Sequence, residues 1–201
     1  NMIEQSAQFA KKAIENASTP QVKAESYFLL ARCSHVGEDY ETALDLYRKS
    51  VGLNDQNPLA LYGLGQIILR TDRQEALKIF EKVLKMIPDA EETIKVVAFL
   101  YSESSNPEDR LKGIGYFKRL LELTPSDHEV YIHLAELTEV NSPKQALKYY
   151  QRALEVLRQN GRPQPAEIYN NVGSLLHKLE KYDLAEASYL RAIKENDSTL
   201  E

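Results

Sequence analysis

Tryptophan is absent from these 201 residues, and cysteine occurs once. A lone Cys33 cannot close an internal disulfide, which excludes a disulfide-stapled fold and suits a reducing compartment. A basic surplus is also missing. Lys and Arg number 25 against 30 Asp and Glu, and the net charge of −5 divides as −2 over residues 1–100 and −3 over 101–201. With no basic lobe to neutralise phosphates, direct nucleic-acid binding is not expected. The longest purely apolar run, Val96–Tyr101, has six residues. That is far short of the roughly 20 a membrane-spanning helix needs. No signal peptide or targeting segment is readable.

Reactive chemistry is equally scarce. The four histidines, His35, His128, His133 and His177, include no pair four apart on one helix, and Cys33 has no second cysteine to join it. Cys33 lies in a helical stretch, which points to packing, whereas a nucleophile would need a nearby base and a depressed pKa. Gly63-Leu64-Gly65 falls inside a helix and lacks a phosphate-loop pattern. No carboxylate pair is forced into an apolar setting, so acid–base catalysis has no support. No catalytic residue, cofactor or metal site is expected.

What is present is a pattern that returns five times. Segments starting near Ala24, Pro58, Glu91, His128 and Ala166 are 34, 33, 37 and 38 residues apart. The first carries Tyr27, Leu30 and Ala31, then Ala43, Tyr47 and Ser50. The last carries Tyr169, Val172 and Gly173, then Ala185, Tyr189 and Ala192. Counted within the repeat, these are positions 4, 7, 8, 20, 24 and 27. Small residues at 8, 20 and 27 suit the places where helices approach closely, and large residues at 4, 7 and 24 fill the space between. A mid-thirties period with two helices per unit marks a tetratricopeptide repeat (TPR). The expected fold is all-α: a right-handed TPR solenoid of antiparallel helix hairpins, about eleven helices long.

The expected organisation is one continuous array. Residues 1–23 give the second helix of a truncated repeat plus a connector. TPR 1 covers 24–57, TPR 2 58–90, TPR 3 91–127, TPR 4 128–165 with an extended helix and connector, and TPR 5 166–201. The middle repeats keep Leu64, Gly65, Ala76 and Phe80, then Val97, Ala98, Gly113 and Phe117, then Leu134, Ala135, Ala146 and Tyr150. Their length changes fall in turns, which stacked hairpins tolerate. Asn57-Pro58, Asn106-Pro107 and Ser142-Pro143 each set a capping residue before a proline suited to the first helical position. Ser126 with Glu129, and Asp89 with Glu92, have capping-box spacing. An uncovered apolar face on the last helix reads as an excised piece of a longer solenoid.

The surface expected to work is the concave one, lined by first helices at positions 2, 5, 9, 12 and 13. From it the candidate partner-binding residues are Phe28, Arg32, His35, Leu59, Tyr62, Gln66, Leu69, Arg70, Lys95, Phe99, Glu129, Ile132, Glu136, Asn170, Ser174 and His177. The full lining, which adds Glu25, Val36, Glu92, Glu139 and Val140 among others, has seven acids, four bases and eight apolar residues. A run of exposed apolar residues marks a partner site. The expected ligand is an extended or helical segment with apolar anchors and some Lys or Arg. Lys95 sits at position 5 but Phe99 at position 9, so the Lys/Asn clamp of chaperone-binding arrays is absent.

Several stretches are more specific: His35-Val36-Gly37-Glu38-Asp39-Tyr40, Gly63-Leu64-Gly65-Gln66, residues 80–104, and Asn170-Asn171-Val172-Gly173. In order and spacing, over residues 7–193, the chain resembles the middle of the large TPR subunit of the RNA polymerase II-associated factor (PAF) complex. The resemblance implies a non-enzymatic nuclear scaffold in transcription elongation. Its partners would be the name-giving and parafibromin-type subunits, and indirectly RNA polymerase II and chromatin, with histone modification as the output. No direct nucleic-acid or membrane contact is implied. The alternatives are a scaffold of the same fold in ubiquitin ligase assembly, organelle import or cilia, or the targeting arm of an enzyme.

Overall fold

The computed structural model describes residues 2–197, and among these the chain forms eleven α-helices and no strand. In order they are α1 Met2–Asn16, α2 Pro20–Val36, α3 Tyr40–Leu53, α4 Pro58–Ile68, α5 Arg73–Met86, α6 Glu91–Ser102, α7 Pro107–Leu123, α8 His128–Thr138, α9 Pro143–Gln159, α10 Ala166–Lys178 and α11 Tyr182–Asp197. The all-helical repeat fold is the one the spacing implies. Two compact units divide the chain at Leu100/Tyr101, within α6.

Helix starts follow capping chemistry. The Asn57 side chain accepts from the Leu59 and Ala60 amides, and Asn106 from the Glu108 amide, each just ahead of a proline. Three details differ from the sequence reading. Helix α2 begins at Pro20, not near Ala24, because Thr19-Pro20 is itself a capping pair, with Thr19 accepting from Val22 N. Asp127, not Ser126, caps α8, and its carboxylate takes both the Glu129 and Val130 amides. Ser142 makes no side-chain cap bond to α9.

In the first unit α1 packs on α2, α2 on α3, α3 on α4 and α4 on α5. Close approach is bought with small residues. Ala31, Ala43, Ala60 and Ala76 are fully buried. A Cβ on Gly63 would collide with the Tyr47 ring, and one on Gly65 would lie 2.8 Å from Phe80, so each aromatic fills the space a side chain would take. Ser50 is small for the same reason, and its buried hydroxyl donates to the Ala24 carbonyl at 2.8 Å. The buried hydroxyl thus keeps a partner.

In the second unit α7 packs on α8, α8 on α9, α9 on α10 and α10 on α11. Its core joins Ala135, Ala146, Tyr150 and Leu157 to Ile168, Val172, Leu175 and Ala185. Tyr150 is fully buried, and its hydroxyl donates to Glu139 Oε1 at 2.8 Å and accepts from Asn171 Nδ2 at 3.2 Å. Burial, and then the Glu139 carboxylate, push its ionisation far above the usual tyrosine value. One residue thus ties α8, α9 and α10 together. Two equivalent hairpin turns, at Glu38 and Glu180, put a non-glycine residue in the left-handed region, with φ 61° and 59°.

Candidate protein-binding faces

Helix α4 shows how a first helix exposes a face. Its apolar residues are so abundant that Ala60, Leu61, Leu64, Ile67 and Ile68 fill the core on one side. Leu59, Gln66 and Arg70 remain exposed, with Tyr62 and Leu69 half-buried between them. These positions recur every three or four residues, so they form one stripe. Leu59 is 61% exposed despite being a leucine. Tyr62 has a second duty, because its ring meets Phe80 edge-on at 5.6 Å.

Helix α2 contributes Arg32, exposed, and His35, half-buried. Phe28 was expected on this face, but it is 4% exposed and belongs to the core. Its ring turns inward to meet Tyr47 at 6.4 Å, and the Arg32 guanidinium covers it at 5.7 Å. Arg70 lies over the Tyr40 ring at 4.0 Å. The His35 ring stands edge-on to both Tyr40, at 5.8 Å, and Tyr47, at 6.1 Å. Burial first, and then the Arg70 charge, lower the His35 pKa. Lys95 and Phe99 on α6 are half-buried.

The second unit carries the other candidates. On α8, Glu129 and Glu136 are exposed and Ile132 is half-buried, with Val140 just beyond the helix 90% exposed. Glu136 reaches His133 at 3.3 Å, and that imidazole stacks on Phe117. On α10, Asn170 and His177 are exposed and Ser174 is half-buried. His177 meets Tyr182 edge-on at 5.3 Å. Among the described residues no group of three or more His, Cys, Asp or Glu is placed to hold a metal. No described helix is long and apolar enough to cross a membrane.

One surface was missed by the sequence reading. A groove of about 600 Å³ runs between α1 and α2, lined by Met2, Phe9, Leu29, Cys33 and Val36 among others. Phe9 is 73% and Val36 67% exposed. Nothing in the spacing of α1 marks it, because Met2, Ile3 and Phe9 have the pattern of an ordinary amphipathic core face. The Tyr40 contribution to the Arg70 stack was missed too, because it comes from the start of a second helix.

Comparison with known proteins points the same way. Residues 59–90 and 129–194 match family models described as tetratricopeptide repeat. Among solved structures, YrrB, described as a TPR protein with an unusual peptide-binding site, superposes with a TM-score of 0.76. The alignment covers 94% of this chain and 93% of that one at 21% identity, a likeness of fold. The chain is 33% identical over 205 residues to RNA polymerase-associated protein CTR9 of Caenorhabditis elegans, covering 92% of this chain and 18% of that protein. It is 27% identical over 191 residues to the Protein CTR9 homolog of Arabidopsis thaliana, covering 92% of this chain and 17% of that protein. The chain therefore spans under a fifth of the length of these curated relatives. It carries tetratricopeptide repeats in an all-helical fold, and over most of its length it is similar to the CTR9 proteins.

Proposed function

We propose that this chain is a non-catalytic protein-interaction scaffold of the PAF transcription elongation complex. The observation that carries the reading is the similarity to CTR9 proteins over 92% of the chain. Each unit's first-helix face takes segments of other subunits, chiefly the name-giving and the parafibromin-type subunit. The work is done in the nucleus, on elongating RNA polymerase II, and supports co-transcriptional histone modification. Exposed apolar residues on otherwise solvated helices support the binding role. Leu59 and Val140 gain nothing from the core and stand ready to be covered by a partner.

The test is affinity capture from nuclear extract with subunits identified by mass spectrometry. The parent chain is compared with Leu59→Asp, which leaves the core untouched. Recovery of PAF-complex subunits by the parent and their loss with Leu59→Asp is the expected result. Equal recovery by both moves the contact off the α4 face. Recovery of a different assembly in their place overturns the proposed function.

A further inference from the structure

The first unit holds two arginines set as for a ligand. The Arg32 guanidinium lies 5.7 Å from the Phe28 ring centre, and that of Arg70 4.0 Å from the Tyr40 ring centre. Neither makes an ion pair or hydrogen bond with any described residue. By contrast Arg191, whose guanidinium lies 5.7 Å from the Tyr169 ring centre, is engaged by the Glu195 carboxylate at 2.8 Å. His35 stands between the two arginine stacks, edge-on to Tyr40 and to Tyr47.

An aromatic ring beneath a guanidinium covers one face and leaves the donating edges free. Those edges match the two oxygens of a carboxylate. The side chains are also held in place beforehand, so less freedom is lost on binding. The acids on the same face are set apart. Glu25, near the start of α2, accepts from Asn57 Nδ2 at 3.2 Å, and Glu92 stands near the start of α6, beside Tyr62. Glu25 and Glu92 thus lie at helix starts, while Arg32 and Arg70 lie towards the ends of α2 and α4.

We propose that Arg32 and Arg70, braced on Phe28 and Tyr40 with His35 between, form a carboxylate-recognition site for an acidic segment of a partner protein. The segment bears Asp or Glu next to an aliphatic residue, the latter matching Val36, 67% exposed one turn beyond Arg32 on α2, and a second aliphatic residue further along it reaches Leu59, 61% exposed at the opposite end of α4 from Arg70. This deepens the scaffold reading, which assigned the face to protein segments without their charge. It also departs from the expectation of a Lys- or Arg-bearing ligand, which came from counting acids over all five repeats together.

The test uses fluorescein-labelled twelve-residue peptides of alternating leucine and glutamate, with leucine–glutamine and leucine–lysine peptides as controls. Binding is read by fluorescence anisotropy at low and high salt. The parent is expected to bind the glutamate peptide and to lose it with salt. The double variant Arg32→Gln/Arg70→Gln is expected to weaken binding by about tenfold or more, as loss of charge-assisted hydrogen bonds does. Its thermal melting should match the parent's, because both guanidiniums are exposed. Arg32→Glu/Arg70→Glu should switch preference to the lysine peptide. Equal binding of the glutamine and glutamate peptides, or undiminished binding by the glutamine variant, would overturn the site. So would a variant that melts well below the parent, since the arginines would then be braces of the fold. A chain that captures PAF subunits yet ignores the glutamate peptide refutes the carboxylate site and leaves the scaffold standing. A chain that binds the peptide through Arg32 and Arg70 but captures no PAF subunit keeps the site and removes the assembly.

Discussion

The two units use one set of repeat positions to build faces of opposite character. On α2 and α4 the stripe ends in Arg32 and Arg70, each lying over an aromatic ring, and His35, edge-on to Tyr40. On α8 and its exit the same stripe reads Glu129, Ile132, Glu136, Glu139 and Val140. There Glu136 meets His133 and Glu139 accepts from Tyr150, so the acids are woven into the unit. Beneath both faces the packing is alike. Phe80 and Phe117 occupy the same repeat position and are both fully buried, as are Ala43 and Ala146. Positions 8, 20, 24 and 27 answer to the neighbouring helix and cannot vary freely. The positions between them answer to whatever approaches from outside.

This contrast can be broken by substitution. The largest effects should come from Phe80→Ala and Phe117→Ala, each costing about 3–5 kcal/mol by transfer and cavity terms. Amide exchange resolved along the chain would show which unit opens. Similar losses in both units support equivalent packing, and a loss in only one breaks the comparison. Next come Ala43→Leu and Ala146→Leu, which overpack a helix crossing by about 1–3 kcal/mol. Gly63→Ala should cost a similar amount through the Tyr47 ring, checked by urea denaturation. Tyr150→Phe sharpens the difference, because it removes the hydroxyl that bridges three helices in the second unit. Loss of the Glu139 and Asn171 bonds should cost about 1–2 kcal/mol. The smallest effect is a gain. Glu38→Gly and Glu180→Gly relieve a positive φ in equivalent turns and should each stabilise by at most about 1 kcal/mol.

The sequence made the helices legible because tetratricopeptide packing repeats locally. Tyr47, Phe80, Phe117 and Tyr150 were placed as core from spacing, and all are buried. Asn57 and Asn106 were placed as caps, and both accept helix-start amides. Helix entry failed where two capping residues adjoin. Ser126-Asp127 offered two candidates, and the carboxylate won because it can take two amides at once. The faces were only partly legible. Phe28 was assigned outward from its position number, but an aromatic at a shallow angle can turn under its own helix to reach Tyr47. The cationic stacks were invisible because Tyr40 and Arg70 are 30 residues apart and meet only through the packing of α3 and α4. The α1–α2 groove was hidden for a different reason. Its exposed Phe9 is indistinguishable in sequence from a core residue of an amphipathic helix.

The central claim is that the first-helix faces hold protein segments and that each face selects by its own charge. The most direct measurement is photo-cross-linking from residue 59 and, separately, residue 140 in nuclear extract, with the captured segments sequenced by mass spectrometry. The account predicts PAF-complex subunits at both positions, with an Asp- or Glu-bearing segment beside residue 59 and a Lys- or Arg-bearing one beside residue 140. Cross-links to the same subunits from second-helix positions such as Lys49 or Arg158, with none from residues 59 and 140, would contradict it.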